Sequence, residues 1–495
     1  MDAIKEPKDI ETSTVGSLPN EPNCEGHVVL IPKPSNDPRD PLNWSLRRKY
    51  LIAAVLCLSA FAGAVASMSG QLNLTQQEEL YNTTKIQESY AFGRMASGPF
   101  FFAPISHLLG CSSTIFWCIS CTLICQVWTA LMTHSDDYVP FITSRAFAGL
   151  FGAIPTRGRA FTTLHISFLF GTTSGPTFSG FVSANSFFPV EFWWTVGLLG
   201  FNLICCFCLL EETGFDRESP ERNSNIPKNL VANRFKTFFF GQSVVLPSTW
   251  KETAKVAATP FLIGICPVTI LMGIFALISF GYNVSVHALT PVWLQKPVSE
   301  GGYGFTLEQN AAFTFCHWVA LILVQVHGHF FNDRIPLALA RRFNNGIWKT
   351  EYRLHVLWLP SMILNPIGLG IFGAALQYHL NYMVLALGVF FVTLGSMASV
   401  PVTVNYAVEC FLNHPAEAGI VIGSYRIIYG LTISFYVDAW AAAVTMGWVY
   451  GLMGFFALVS FFFVMLVMWQ GHAIRDIQFA SLGLASSEEG EKLLK

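Results

Sequence analysis

Residues 446–470 read MGWVYGLMGFFALVSFFFVMLVMWQ, twenty-five residues without one charged side chain. As an α-helix this stretch is about 37 Å long at ~1.5 Å per residue, longer than the ~30 Å hydrocarbon core of a bilayer. Its apolar residues run on continuously and do not alternate, so it is not a barrel strand. Inside hydrocarbon only a helix or a closed barrel satisfies its own backbone groups, and the stretch therefore reads as a membrane-spanning helix. Comparable runs occupy 50–70, 88–110, 112–133, 138–156, 160–183 and 190–210, then 258–283, 308–331, 353–376, 381–405 and 417–440. With 446–470 they make six spans before a polar stretch and six after it.

Composition agrees with this reading. The 495 residues are 52% hydrophobic and 12% charged, with a mean hydropathy of +0.47. A water-soluble shell carries about twice that share of charge. A net charge of −2 gives no footing for a nucleic-acid partner. The expected organisation is a cytosolic tail at 1–49, a six-helix bundle at 50–210, a cytosolic linker at 211–257, a second six-helix bundle at 258–470 and a cytosolic tail at 471–495. The polar first segment carries Pro32, Pro34, Pro38 and Pro41 and lacks the apolar core of a cleaved signal.

Lysine and arginine set the orientation. One side collects Arg47, Arg48, Lys49, Arg157, Arg159, the linker from Arg217 to Lys255, Arg334, Arg341, Arg342, Lys349, Arg353 and Arg475; the other has Lys85 and Lys296. This places both termini in the cytosol. The sequons Asn73-Leu-Thr and Asn82-Thr-Thr then fall in the first outside loop, where glycosylation is expected. Asn283-Val-Ser lies too close to the seventh span for a glycan. Twelve cysteines, including Cys118-x-x-Cys121 and the Cys205, Cys206, Cys208 cluster, read as small apolar packers. No second loop supplies the partners of a zinc site, so neither metal nor cofactor is expected.

One absence and three motifs bear on function. The chain contains no Gly-Lys dipeptide, hence no phosphate-cradling loop of an ATP-driven pump. The fifth span holds Gly171-Thr-Thr-Ser-Gly175-Pro176-Thr-Phe-Ser-Gly180. Its small residues at every fourth position let two helix backbones approach, and Pro176 removes a backbone hydrogen bond. The fourth span holds Arg145-Ala-Phe-Ala-Gly149, with an arginine that costs at least ~2.5–3.5 kcal/mol to place in the membrane. After the eighth span comes Gly328-His-Phe-Phe-Asn-Asp333-Arg334, followed by Arg341-Arg342.

These motifs resemble those of the major facilitator transporters, in particular the fungal twelve-helix branch similar to drug:proton antiporters. The Gly-Pro segment is similar to G-x-x-x-G-P-x-x-x-G, and Arg145 to the arginine of R-x-x-x-G. The Asp37–Ser45 stretch (Asp-Pro-Arg-Asp-Pro-Leu-Asn-Trp-Ser) and Gly301-Gly-Tyr-Gly-Phe305 are also similar to fungal members. The resemblance implies an all-α membrane protein of twelve helices in two bundles that rock about a central cavity. It implies a role for Arg145 in proton transfer and a cytoplasmic latch built on Asp333, Arg334, Arg341 and Arg342. Arg426 and Asp438, ionisable residues inside the eleventh span, join Arg145 as candidates for proton coupling. Glu409, Arg94, Glu88, His317 and Asn365 read as weaker candidates, since charges at helix ends reach the headgroups.

The expected function is proton-coupled efflux of a small organic molecule, such as a drug or secondary metabolite, across the plasma membrane by a monomer. The alternative is proton-coupled uptake of an organic cation or polyamine. A membrane enzyme would need a histidine box or a metal or nucleophile constellation, and His327 and His329 are the one close pair of histidines in the chain. Two departures from the family pattern stand out. His107 occupies the position of the acid in the first-half loop Ala103–Cys111. The fourth span, 138–156, covers only about 28 Å at ~1.5 Å per residue.

Overall fold

A computed structural model of the chain describes residues 40–83, 98–152, 161–215, 229–239, 250–411 and 414–482, with Ser35 and Asp37. Among the described residues there is no strand. The first half contains α1 (Leu46–Met68), α2 (Leu74–Tyr81), α3 (Gly98–Leu109), α4 (Cys111–Leu131), α5 (Tyr138–Gly152), α6 (Phe161–Ala184) and α7 (Glu191–Leu209). Two helices of the linker region follow, α8 (Leu230–Phe239) and α9 (Trp250–Gly264). The second half contains α10 (Pro267–Gln295), α11 (Leu307–Phe313), α12 (Phe315–Phe331), α13 (Arg334–Phe343), α14 (Asn365–Gln377), α15 (Tyr382–Cys410), α16 (Pro415–Val444) and α17 (Met446–Leu482). Eight helical segments of the described residues are long and apolar enough to cross a membrane by length and composition. Ile124, Ile204 and Phe462 are each about two-thirds exposed on the outer surface of the molecule, where the lipid tails are the fitting solvent.

The same packing scheme occurs twice. In the first half α1 lies against α6 and α7, and α4 against α5 and α7. In the second half α10 lies against α16 and α17, and α14 against α15 and α17. Each half has its own apolar core: Ile52, Ile115, Ile119 and Leu199 in the first, and Leu369, Phe372, Val389 and Tyr450 in the second. The halves meet where α6 touches α11 and α12, and where α3 touches α9 and α16.

The twelve expected spans have helical counterparts, with four differences of extent. The seventh span is not 258–283 but α10, which begins at Pro267. Proline cannot continue a helix yet suits its first turn, so the chain breaks after Gly264 and α9 is a separate helix. The apolar composition continues across that break and conceals it. The eighth span is interrupted at Thr314, which closes α11 and opens α12. The ninth enters α14 through a tight 3₁₀ stretch at Thr350–Leu357 and a wide π turn at Trp358–Leu364. The twelfth continues to Leu482, so part of the expected tail is helical. In the fourth span α5 ends its described part at Gly152. Arg157, Arg159, Lys85, Glu88 and Arg94, and the end of the fourth span, lie outside the described residues.

Candidate functional site

The Gly-Pro segment of α6 lies along α1. A Cβ placed on Gly171 would sit 2.6 Å from the Phe61 carbonyl oxygen and 2.7 Å from the Ala64 Cβ. On Gly175 it would sit 2.8 Å from the Val65 oxygen and 3.3 Å from the backbone of Met68. Backbone is therefore packed on backbone, which only the absent side chains allow. Gly180 faces elsewhere: a Cβ there would meet Leu72 at 2.7 Å and Ala311 of the second bundle at 2.9 Å. The same helix thus packs one face into a seam within the first bundle and another against the contact between bundles. Pro176 lies inside the helix.

Arg145 of α5 is 2% exposed. Its guanidinium donates to the carbonyl oxygens of Ala66 (2.9 Å), Ser67 (2.7 Å) and Ser69 (2.6 Å). These are carbonyls at the end of α1, which have no partner within their own helix. Its cationic carbon lies 5.2 Å from the centre of the Phe192 ring. The chain turns there through Gly70, at φ 85°, a conformation glycine adopts at no steric cost. The turn brings Asn73 to Glu191, the first residue of α7, whose carboxylate is fully buried. That carboxylate accepts from the Asn73 amide and from the Ser183 hydroxyl (3.1 Å) and lies in the field of Arg145. Sequence reasoning missed Glu191; an acid within the apolar run Phe187–Trp194 was the available signal.

This geometry corrects one expectation. Asn73 is 1% exposed, with its amide committed to Ser183 and Glu191. A glycan has no room there, so Asn73 is not an acceptor. Asn82, exposed at the end of α2, keeps that reading. The Asn82→Gln variant is expected to abolish any endoglycosidase-sensitive mobility shift, and Asn73→Gln to leave it unchanged. A shift that persists in Asn82→Gln would place this loop on the other side or the glycan elsewhere.

Between the bundles, polar groups meet around the turn that follows α1. Gln71 donates to the His287 carbonyl (3.2 Å) and faces its Nδ1 at 3.4 Å. The Gln295 amide donates to the Leu72 carbonyl (2.8 Å), Thr177 pairs with Thr314 (2.6 Å), and Trp318 Nε1 donates to Thr177 (3.1 Å). The His287 and His317 rings lie 4.3 Å apart, and His317 Nδ1 is 2.9 Å from the Thr393 hydroxyl. Near the start of α6, Arg426 of α16 reaches across to His165 Nε2 (3.1 Å) and lies over Phe280. Arg145 and Arg426 are thus in separate places, one inside the first bundle and one between the two. Asp438 has its backbone in α16, and its side chain lies outside the described residues.

The fold aligns with the proton:xylose symporter XylE over 86% of this chain and 96% of that one, with a TM-score of 0.54 at 12% sequence identity. It aligns with the human organic anion transporter MFSD10 over 84% and 99%, with a TM-score of 0.53 at 13% identity. The fold is the major facilitator fold. Relatives by sequence are MFS-type transporters and efflux pumps of fungi. The efflux pump radE of Floropilus chiversii is 25% identical, covering 94% of this chain and 89% of its own. The MFS-type transporter penM of Penicillium rubens is 24% identical, covering 89% and 88%. The MFS-type transporter hepF of Aspergillus oryzae is 23% identical, covering 86% and 89%. No family model matches the sequence.

In this major facilitator fold, Asp333 meets a different arginine from those expected of the latch. Asp333 pairs with Arg353 at 3.4 Å, and Arg353 also pairs with Glu409, which accepts from Trp348 Nε1 (3.3 Å). Arg475 of α17 pairs with Glu351 at 2.5 Å and donates to the Tyr406 hydroxyl (3.3 Å). Arg334, Arg341 and Arg342 are exposed; Arg334 and Arg342 rest against Phe330 and Phe343. α13 carries these arginines on its exposed face. In the first half, the His107 side chain lies outside the described residues. There the linker contributes the ties. Arg234 of α8 donates to the carbonyls of Leu210 and Cys208 (3.0 Å). Trp117 Nε1 donates to the Phe238 carbonyl (2.9 Å), and Arg48 pairs with Glu211. Burial pushes the Glu212 carboxyl above its usual range, while backbone N–H groups, including that of Ser112 at 3.1 Å, oppose the rise.

Proposed function

We propose that the chain is a secondary transporter that exports a small organic molecule, such as a drug or secondary metabolite, in exchange for protons. The plasma membrane is its proposed location, with both termini in the cytosol. The observation that carries this reading is the α6 face of Gly171 and Gly175, which packs on the α1 backbone, while Gly180 on another side of the helix reaches the second bundle. Such a face keeps the first bundle rigid while the two halves rock, so that reorientation does not open a path for free protons. The name of one relative, an efflux pump, points the same way.

The groups that meet across the bundles argue for a neutral or weakly basic substrate. Gln71, Thr177, Thr314 and Gln295 are neutral, and Arg426 brings a positive charge near the start of α6. A polyamine would need several carboxylates in their place, and the buried Glu191 is held inside the first bundle. The reading is tested in pump-deficient cells that express the chain and are loaded with Nile red or another neutral or weakly basic amphiphile, with rhodamine 6G and tetraphenylphosphonium as cationic comparisons. Efflux of at least one compound is expected to collapse to the vector level when an uncoupler is added with ATP held constant. Efflux that persists without a gradient would point to another energy source.

A further inference from the structure

We propose that His287 and His317 form the site that carries the coupling proton, and that Gln71 reads its occupancy across the bundle interface. The inference rests on the exporter reading above and deepens it. The two rings lie 4.3 Å apart, on α10 and α12. They line a cavity of about 10 Å³ together with Gln71, Asn310 and Thr314, which is room for about one water. Imidazole is the side chain whose charge ordinarily changes between pH 5 and 8. Two cationic rings at this separation repel each other, so the pair takes one proton and not two.

The surroundings leave the pair as its own electrostatic partner. The groups that face it are Gln71 from the turn after α1, Pro176 from α6, Asn310, Phe313 and Thr314 from α11 and its end, and Thr393 from α15. All are neutral. The charge that acts on His317 is that of His287, and at this separation the action is mutual.

Gln71 Nε2 can only donate, so its approach to His287 Nδ1 requires that nitrogen to be an acceptor, which holds for the neutral ring with its proton on Nε2. When a proton arrives at Nδ1, the nitrogen becomes a donor and that pairing fails. The Gln71 amide must then leave or turn its oxygen toward the ring. That oxygen is buried without a hydrogen bond among the described residues. The proton adds to one imidazole and departs from it, and no other bond changes. Its presence alters a contact that belongs to both bundles, which is how a bound proton can bias their rocking.

The test uses the full chain in nanodiscs, labelled with ¹⁵N-histidine and assigned with His287→Gln and His317→Gln, both checked for folding by size exclusion. Between pH 4 and 8 the pair is expected to take up one proton. In His317→Gln the His287 titration is expected to move up by about one unit, as the repulsion is removed. In parallel, cysteines at Thr75 and Gln295 report this contact between the bundles. Their cross-linking rate is expected to change with pH in the otherwise native chain and to be independent of pH with His287→Gln. Rings that stay neutral throughout, or titrate independently of each other, overturn the proposal. A cross-linking rate with no pH dependence in the native background overturns the role of Gln71. None of these readouts requires a transported substrate, so the proton site fails or stands apart from the export reading.

Discussion

Gly175→Val is expected to lower exchange in reconstituted vesicles at least tenfold while expression falls far less. The Cβ of the new side chain would lie 2.8 Å from the Val65 carbonyl oxygen and 3.3 Å from the Met68 backbone. Backbone atoms cannot rotate away as side-chain tips do, so α1 and α6 must separate. Overpacking of this kind costs typically ~1–3 kcal/mol, and about 1.4 kcal/mol is already a factor of ten in an equilibrium. The separation also moves the end of α1, where Arg145 holds its carbonyls. Proton leak without substrate is expected to rise with the loss of exchange. The measurement follows lumenal pH in vesicles after an imposed pH gradient, with Gly175→Ala as the milder case. Normal exchange and proton-tight vesicles with valine in place would reduce the motif to helix packing, and the preference for export would lose its main support.

Arg145→Ala is expected to abolish coupled transport and to lower the melting temperature. It strips the guanidinium from the carbonyls of Ser67 and Ser69, takes one of three donors from that of Ala66, and removes the cation whose field acts on the buried Glu191. Leaving buried polar groups without their donor costs about 1–3 kcal/mol. Glu191→Gln removes the stranded charge, so the double variant Arg145→Ala/Glu191→Gln is expected to regain most of the lost melting temperature. If Arg145 takes part in coupling, the double variant stays inactive although folded. Recovery of transport along with stability would assign Arg145 a purely structural role, that of a cap on α1. Fluorescence-detected thermal unfolding and vesicle transport on the same preparations separate the two cases.

The fold was legible because a bilayer permits so few solutions. Runs such as 446–470 and 381–405 admit one reading, and the length and apolarity of each run fixed the helix count. Boundaries were less legible where composition carries across a break. Nothing in the hydropathy of 258–283 marks the stop after Gly264, and Pro267 was the only local sign of it. The linker helix α8 was hidden because its ten residues, Leu230–Phe239, sit in a stretch that reads as polar. At the site, Arg145 and the Gly171–Gly180 segment announced themselves through cost and spacing. Glu191 and the His287–His317 pair did not. Their significance lies in partners more than one hundred residues away for Asn73 and Glu191, and across two helices for the histidines, and spacing along one helix cannot show that. The latch arginines were misassigned for a related reason. Arg341 and Arg342 are near Asp333 in sequence, whereas Arg353 reaches it in space.

The central claim is exchange of an organic substrate against protons, and one vesicle experiment addresses it directly. The purified chain is reconstituted into proteoliposomes with an acidic lumen and a pH dye inside, and the panel of rhodamine 6G, ethidium, tetraphenylphosphonium and neutral amphiphiles is added outside. The account predicts that at least one compound accumulates only while the gradient lasts, and that the lumen becomes less acidic in step with its entry beyond the drift of protein-free vesicles. Accumulation that ignores the gradient, or protons and compound moving in the same direction, would contradict it.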